Sequence, residues 1–390
     1  VPRADGGASE ADARAIWRLF AQHWHLFRGT PTRLWFEQSL EDVFGIDERL
    51  APGNADRLFD RISEALARPE CRPRALYERF GIKAISTTDS PIDDLGHHAA
   101  LRASGWQGRV LPCYRPDPVV DPDFGGFRAA VARLGELTGE DTASWPGYLA
   151  AHRKRRAYFI GMGATATDHG HPTARTENLD TAAAARLFQR VIAGEASAAE
   201  AEAFRGQMLT EMARMSLEDG LVMQLHPGSF RNHSPDLYRR FGRDKGADIP
   251  TATNYVEALK PLLDAFGHDS RLTLIVFTLD ETAYSRELAP LAGVYPALRL
   301  GPAWWFFDAP EGMRRFRELT TETAGFYNTV GFNDDTRAYL SIPARHDMAR
   351  RMDCAFLARL VAEHRLDEEE AHELAADLAW RLAEKAYKLD

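Results

Sequence analysis

The feature that most constrains the fold is a change of texture at residue 82. From there on, short apolar and β-branched runs alternate with longer stretches of helical periodicity, the signature of βα units around a parallel sheet. Seven strand segments can be counted, at 82–87, 109–114, 164–168, 221–225, 272–279, 297–300 and 329–332. Helical patterns lie between them at 124–137, 145–160, 182–193, 198–217, 255–266 and 312–326, and a last one follows at 367–387. The first 80 residues read as helical instead. Ser9 can cap a helix carrying Ile16, Leu19 and Phe20, and amphipathic segments follow at 32–44 and 54–66. With no internal repeat and no low-complexity linker, the expected α/β architecture is a helical annex at 1–80 and a (β/α)8 barrel at 81–390 with C-terminal helices. Eight strands close a barrel and seven leave a gap. The expectation is therefore a distorted barrel whose first strand lies upstream of residue 1.

Catalytic groups of such a barrel hang from the C-terminal ends of its strands. Read in order, those ends are Thr87-Thr88-Asp89, Tyr114 to Asp117, Asp168 to His171, His226 to Asn232, Asp280-Glu281, Trp304-Trp305 and Asp334 to Arg337. All seven carry ionisable or aromatic residues, which favours an active site on that face. Arg115, Arg231 and Arg337 stand at three of these ends, and guanidinium forks bind carboxylate or phosphate in two-pronged fashion. Each could instead hold a loop through a neighbouring aspartate. No glycine-rich phosphate cradle is present, so carboxylate is the preferred ligand class.

His169 and His171 are spaced to point the same way from an extended chain, as a metal pair requires, although Gly170 and Pro172 interrupt the strand. Otherwise one of them is an acid/base or hydroxyl-binding group and the other structural. His226 directly follows an apolar strand and reads either as an acid/base group or as a core histidine. Asp335 is the carboxylate best placed as a ligand at the mouth, with a helix N-cap as its other reading. One tryptophan of Trp304-Trp305 can wall a sugar-sized pocket. His97 and His98 read as solvated residues at a helix start.

Composition excludes several classes. Forty-eight Lys+Arg against 57 Asp+Glu give a net charge of −9 without basic blocks, which argues against a nucleic-acid partner. No apolar run approaches the ~18 residues of a membrane span. The three cysteines, Cys71, Cys113 and Cys354, are odd in number and lack metal spacing, which points to a reducing compartment.

At these positions the sequence resembles the uronate isomerase (glucuronate isomerase) family of the amidohydrolase superfamily. The stretches that carry the likeness are TTDSPIDDLGHH (87–98), LPCYRPD (111–117), ATDHG (166–170), HPGSFRN (226–232), GPAWWF (301–306), DDTRAYLS (334–341) and RHD (345–347). The resemblance implies a cytoplasmic aldose–ketose isomerase, expected as a homo-oligomer, that converts D-glucuronate to D-fructuronate and D-galacturonate to D-tagaturonate. It implies one divalent metal, usually taken as zinc, with Asp335 as a ligand and proton shuttle. Arg337 would bind the substrate carboxylate, and Arg115 and Arg231 carboxylate or hydroxyl oxygens. The base for the carbon-bound proton is expected in the segment upstream of residue 1, with His169 and His226 as the fallback candidates among the residues present. A tryptophan of Trp304-Trp305 would line the pocket. The family's His-x-His metal pair belongs to the first barrel strand and has no equivalent here. His23 and His25 have the spacing but sit in a helical segment, where such residues do not share a face. The pair is expected upstream of residue 1. If it is truly absent, the expectation becomes a catalytically dead sugar-acid-binding fragment. A metal-dependent hydrolase of the same superfamily is the other alternative.

Overall fold

The structure is a computed structural model that describes residues 3–336 and 338–389. The expected strand segments meet side by side. β1 (Ile85–Ser86) pairs in parallel with β2 (Val110–Leu111), and the bridges Asp89–Tyr114 and Tyr114–Thr167 carry the ladder on to β3 (Ala166–His169). β4 (Val222–Leu225) follows, trailed by a small antiparallel hairpin of β5 (Ser229–Phe230) and β6 (Ile249–Pro250) that stands outside the main ladder. Then come β7 (Leu274–Val276), β8 (Leu298–Leu300) and a single bridge from Leu300 to Thr329. Each member of the ladder lies beside its predecessor in sequence and parallel to it, which is the winding of a barrel.

Alternation along the strands sorts side chains into two cores. Ala166, Val222, Ile275, Phe277 and Val330 pack together inside the array, with Cys113 and Trp304. Met223, Leu225, Leu274 and Val276 face the surrounding helices, among them Trp145–Gly161, Ala198–Asp219 and Pro310–Ala324.

The segment expected as a strand at 329–332 is reduced to that one bridge. The Phe332 N–H is taken by the Leu378 carbonyl at 2.9 Å, so the C-terminal stretch competes for the ladder position. Among the described residues no strand pairing joins this segment to β1. The C-terminal stretch packs there: Lys83 binds Glu384 at 2.8 Å and sits over the Trp380 ring, while Tyr387 enters the barrel and donates to Gln224 at 2.6 Å.

The annex is helical as expected, with helices Ala13–His23, Pro31–Phe44, Ala55–Leu66 and Pro73–Arg79. Its first cap is Asp12, whose carboxylate accepts from the Arg14 N–H, and not Ser9. Ile16 and Leu19 are exposed, because the buried stripe of that helix is Trp17, Phe20 and Ala21, which pack with Trp24, Leu40 and Leu58. Trp35 leaves this annex core and donates to Met348 Sδ at 3.2 Å on the long helix Ile342–Ala362, an element the periodicity reading passes over. Among the described residues no helix is long and apolar enough to cross a membrane.

Candidate active site at the barrel mouth

The register of β3 against β4 builds the centre of the site. Ala166 and Asp168 face the interior of the array, which leaves Thr167 and His169 on the opposite face. Asp168 pairs in register with Gln224, and the His226 N–H donates to the His169 carbonyl at 3.0 Å just beyond it. That geometry sets His226 Nε2 2.8 Å from Asp168 Oδ1. The other carboxylate oxygen lies 3.4 Å from Arg115 Nη1, and Arg115 Nε binds Asp117 Oδ2 at 2.7 Å. Asp117 in turn accepts the Gly170 N–H at 3.1 Å. Gly170 leaves room for this cluster, since a Cβ would stand 2.5 Å from Arg115 Nη2 and 2.9 Å from both Asp117 Oδ2 and the His226 ring, and these side chains would have to shift.

Electrostatics follow from this packing. Burial works against a charged Asp168, but His226 and Arg115 outweigh it and hold the carboxyl down to about 2. Burial likewise opposes the charge on Arg115, and Asp117 and Asp168 overcome it and raise its pKa further. Among the described residues the buried His226 Nδ1 has no hydrogen-bond partner.

The loops after β8 and Thr329 stand beside this centre. Trp304 is buried in the interior cluster, its ring 5.1 Å from that of His226, and its indole N–H donates to Asp335 Oδ2 at 2.8 Å. Asp335 is exposed and caps no helix; the next long helix starts at Ile342 after Ser341. Trp305 has a left-handed backbone (φ 52°) and lies under the Arg231 guanidinium, 4.8 Å from ring centre to carbon. Arg231 is also anchored on Asp248 at 3.1 Å, with Asp244 at 3.8 Å. So Trp304 is the inward tryptophan and Trp305 the platform for an arginine.

A family model described as glucuronate isomerase matches residues 5–387 of this sequence. The chain belongs to the glucuronate isomerase family. The uronate isomerase of Rhizobium meliloti (strain 1021) is 68% identical over 389 residues, which are 100% of this chain and 83% of that protein. Among solved structures, glucuronate isomerase from Caulobacter crescentus superposes with a TM-score of 0.98 at 59% identity, covering 100% of this chain and 81% of the other. Uronate isomerase from Thermotoga maritima gives 0.92 at 27% identity, over 98% and 84% of the two chains. The fold is the α/β barrel of these glucuronate isomerase relatives.

Not every expected residue of this glucuronate isomerase family chain reaches the mouth. His169 is fully buried on the outward face of β3 with Nε2 3.1 Å from Thr167 Oγ1, away from the Asp168–His226 pair. His171 is also buried, and its ring lies 6.1 Å from that of His169 without a shared third ligand among the described residues. His98 is buried rather than solvated, 2.9 Å from Thr87 Oγ1. Arg337 lies outside the described residues. Among the described residues no three His, Cys, Asp or Glu side chains converge as a metal-binding group, so they do not by themselves fit a resident metal. Asp117, Asp168 and Gly170 emerge as site residues that had no assigned role. Their only sequence signal is position, in Arg-Pro-Asp and Asp-His-Gly at two strand ends.

Proposed function

We propose that this chain isomerises D-glucuronate to D-fructuronate, and D-galacturonate to D-tagaturonate, as an intramolecular oxidoreductase of hexuronate catabolism. The observation that carries the reading is the His226–Asp168 pair, set between the Arg115 cation and the Trp304–Asp335 wall in a member of this family. An aldose–ketose isomerisation breaks the C2–H bond of the open-chain uronate. The electron pair forms the C1=C2 bond of a cis-enediol as the C1 carbonyl oxygen gains a proton. The O2 hydroxyl then releases its proton while C1 is protonated, which gives the 2-ketose.

Each group has a place in that sequence. Arg115 and Arg231 hold the carboxylate or hydroxyl oxygens of the substrate, with Arg337 as the further carboxylate ligand that the family likeness implies. Asp168 orients the His226 ring through Nε2, and His226 is the group assigned to the carbon-bound proton. Asp335 takes and returns the hydroxyl proton, held in direction by the Trp304 N–H. Fixed cations next to a developing enolate oxygen stabilise it most when water is scarce, and the side chains of Asp168 and His226 are only 14% and 9% exposed.

A divalent ion, zinc by the family likeness, belongs to the proposal with Asp335 as one ligand. No step above is routed through it, because the described residues do not complete its ligand set. The same proposal puts the reaction in the cytoplasm, with a homo-oligomer as the working form and a small-molecule hexuronate as the only partner class. The test is proton NMR of D-glucuronate and D-galacturonate in D2O with the purified protein. Ketose carrying deuterium at C1 is the expected product. Unchanged aldose from both sugars, with and without added Zn²⁺, would overturn the assignment.

A further inference from the structure

The RHD segment at 345–347 takes no part in the site described so far, yet its arginine is tied to two carboxylates beside it. Arg345 lies in the first turn of the helix Ile342–Ala362 and is 7% exposed. Its Nη2 binds Asp308 Oδ2 at 2.5 Å and its Nε binds Asp334 Oδ1 at 2.5 Å. Nη2 also lies 3.5 Å from the Asp335 carbonyl oxygen, and the guanidinium is covered by the Trp35 ring of the annex at 4.6 Å. Asp308 stands four residues after Trp304 on one loop, and Asp334 immediately precedes Asp335 on the other. The same two loops are therefore cross-linked twice, once at the mouth by Trp304 and Asp335 and once below it by Arg345.

We propose that Arg345 is a positioning residue: it clasps the loop after β8 to the loop bearing Asp335 and so sets the direction of the Asp335 carboxylate against the Trp304 indole. Only a planar fork serves two carboxylates at once in this way, and an ammonium at the same place is a point charge. The clasp is buried, so removing one partner leaves charge without compensation. Among the described residues Asp334 Oδ2 is already a buried oxygen with no hydrogen-bond partner. The loop then has a reason to move once its hold on Arg345 weakens. Trp35 extends the argument to the annex, which contributes the lid of the clasp.

The activity part of the test rests on the proposed isomerisation; the spectroscopic part does not. Protein labelled with ¹⁵N in its indoles is compared as wild type, Arg345→Lys and Asp308→Asn, the Trp304 N–H signal being assigned by its loss in Trp304→Phe. The expected result is a displaced Trp304 signal in both variants, larger than any change at Trp145 on the helix Trp145–Gly161. With it, kcat falls about tenfold or more while KM stays within about twofold, the pattern of a group acting on the transition state. If Arg345→Lys fails to fold, the near-isosteric Asp308→Asn decides. An unmoved Trp304 signal overturns the proposal, and so does a displaced signal with kcat unchanged. Should the wild type turn over neither sugar, the reaction assignment fails and the Trp304 signal still decides the clasp.

Discussion

Trp304 and Asp335 are 31 residues apart and lie on different loops, yet one hydrogen bond of 2.8 Å joins indole Nε1 to carboxylate Oδ2. The donor is neutral and buried, the acceptor exposed at the mouth. A carboxylate held this way has a fixed direction without having its charge cancelled, which suits a group that takes up and returns a proton.

Asp335→Asn is expected to lower kcat by about a thousandfold, within the range of a lost general acid/base group. The amide keeps the size and the acceptor oxygen for Trp304, so circular dichroism and the thermal transition should match the wild type. A variant with near-wild-type turnover would remove Asp335 from the mechanism.

Gly170→Ala tests the packing of the charged centre. The new methyl meets Arg115, Asp117 and His226, all of them side-chain ends that can yield. The fold should survive at a cost of about 1 kcal/mol, as for modest overpacking. The site should not, because Arg115 can move only by breaking its bonds to Asp117 and Asp168. We expect kcat/KM to fall about a hundredfold, measured beside a urea titration. Unchanged kcat/KM would mean that the Arg115 arrangement is incidental to catalysis.

These two cases show what the sequence made legible and what it did not. The strand positions were readable because each is a short apolar or β-branched run between turn residues, and the alternation of Val222 with Met223 and of Leu274 with Ile275 sorts itself into two cores. The segment at 329–332 was overread as a strand, since its pattern cannot reveal that Leu378 would take the Phe332 N–H. The helix Ile342–Ala362 was missed for a physical reason. Its buried stripe includes Arg345 and Asp353, which are polar in sequence and are balanced only by Asp308, Asp334 and Arg317 from elsewhere. At the site, residue type and strand-end position single out Asp335, Arg115 and His226, and the structure places Arg115 and His226 against Asp168 and Asp335 against Trp304. Residue type and position could not show that His169 turns outward, because a turn at Gly170 leaves the facing of its neighbours open.

Arg231 carries two readings that one variant separates. Its contacts with Asp248 and Trp305 fit either a substrate ligand or a clasp for the β5–β6 hairpin. As a ligand, Arg231→Met should raise KM for D-glucuronate about tenfold with kcat changed little, the mark of lost ground-state binding. Equal KM in both proteins, with faster proteolysis within 229–250, would assign Arg231 to the hairpin alone.

The pH dependence of stability has a located source in His152. This histidine is fully buried on the helix Trp145–Gly161, with Nδ1 2.7 Å from the Tyr114 hydroxyl. Tyr114 is itself the bridge between the Asp89 and Thr167 segments, directly before Arg115. Burial, and then the charges of Arg156 and Arg153, push His152 from 6.5 down to about 3. The unfolded chain binds a proton here near pH 6.5 and the folded chain does not. The stability this neutral histidine allows is therefore whole above pH 6.5 and is lost as the pH falls toward about 3, by about 1.4 kcal/mol per pH unit. Between pH 6.5 and 5 the loss from this residue alone is about 2 kcal/mol. His152→Gln keeps a hydrogen-bonding side chain and removes the titration. Urea midpoints measured at pH 7, 6 and 5 should fall more steeply for the wild type than for the variant. Parallel lines for the two proteins would mean that His152 is protonated in the folded state, and that the Tyr114 contact does not hold it neutral.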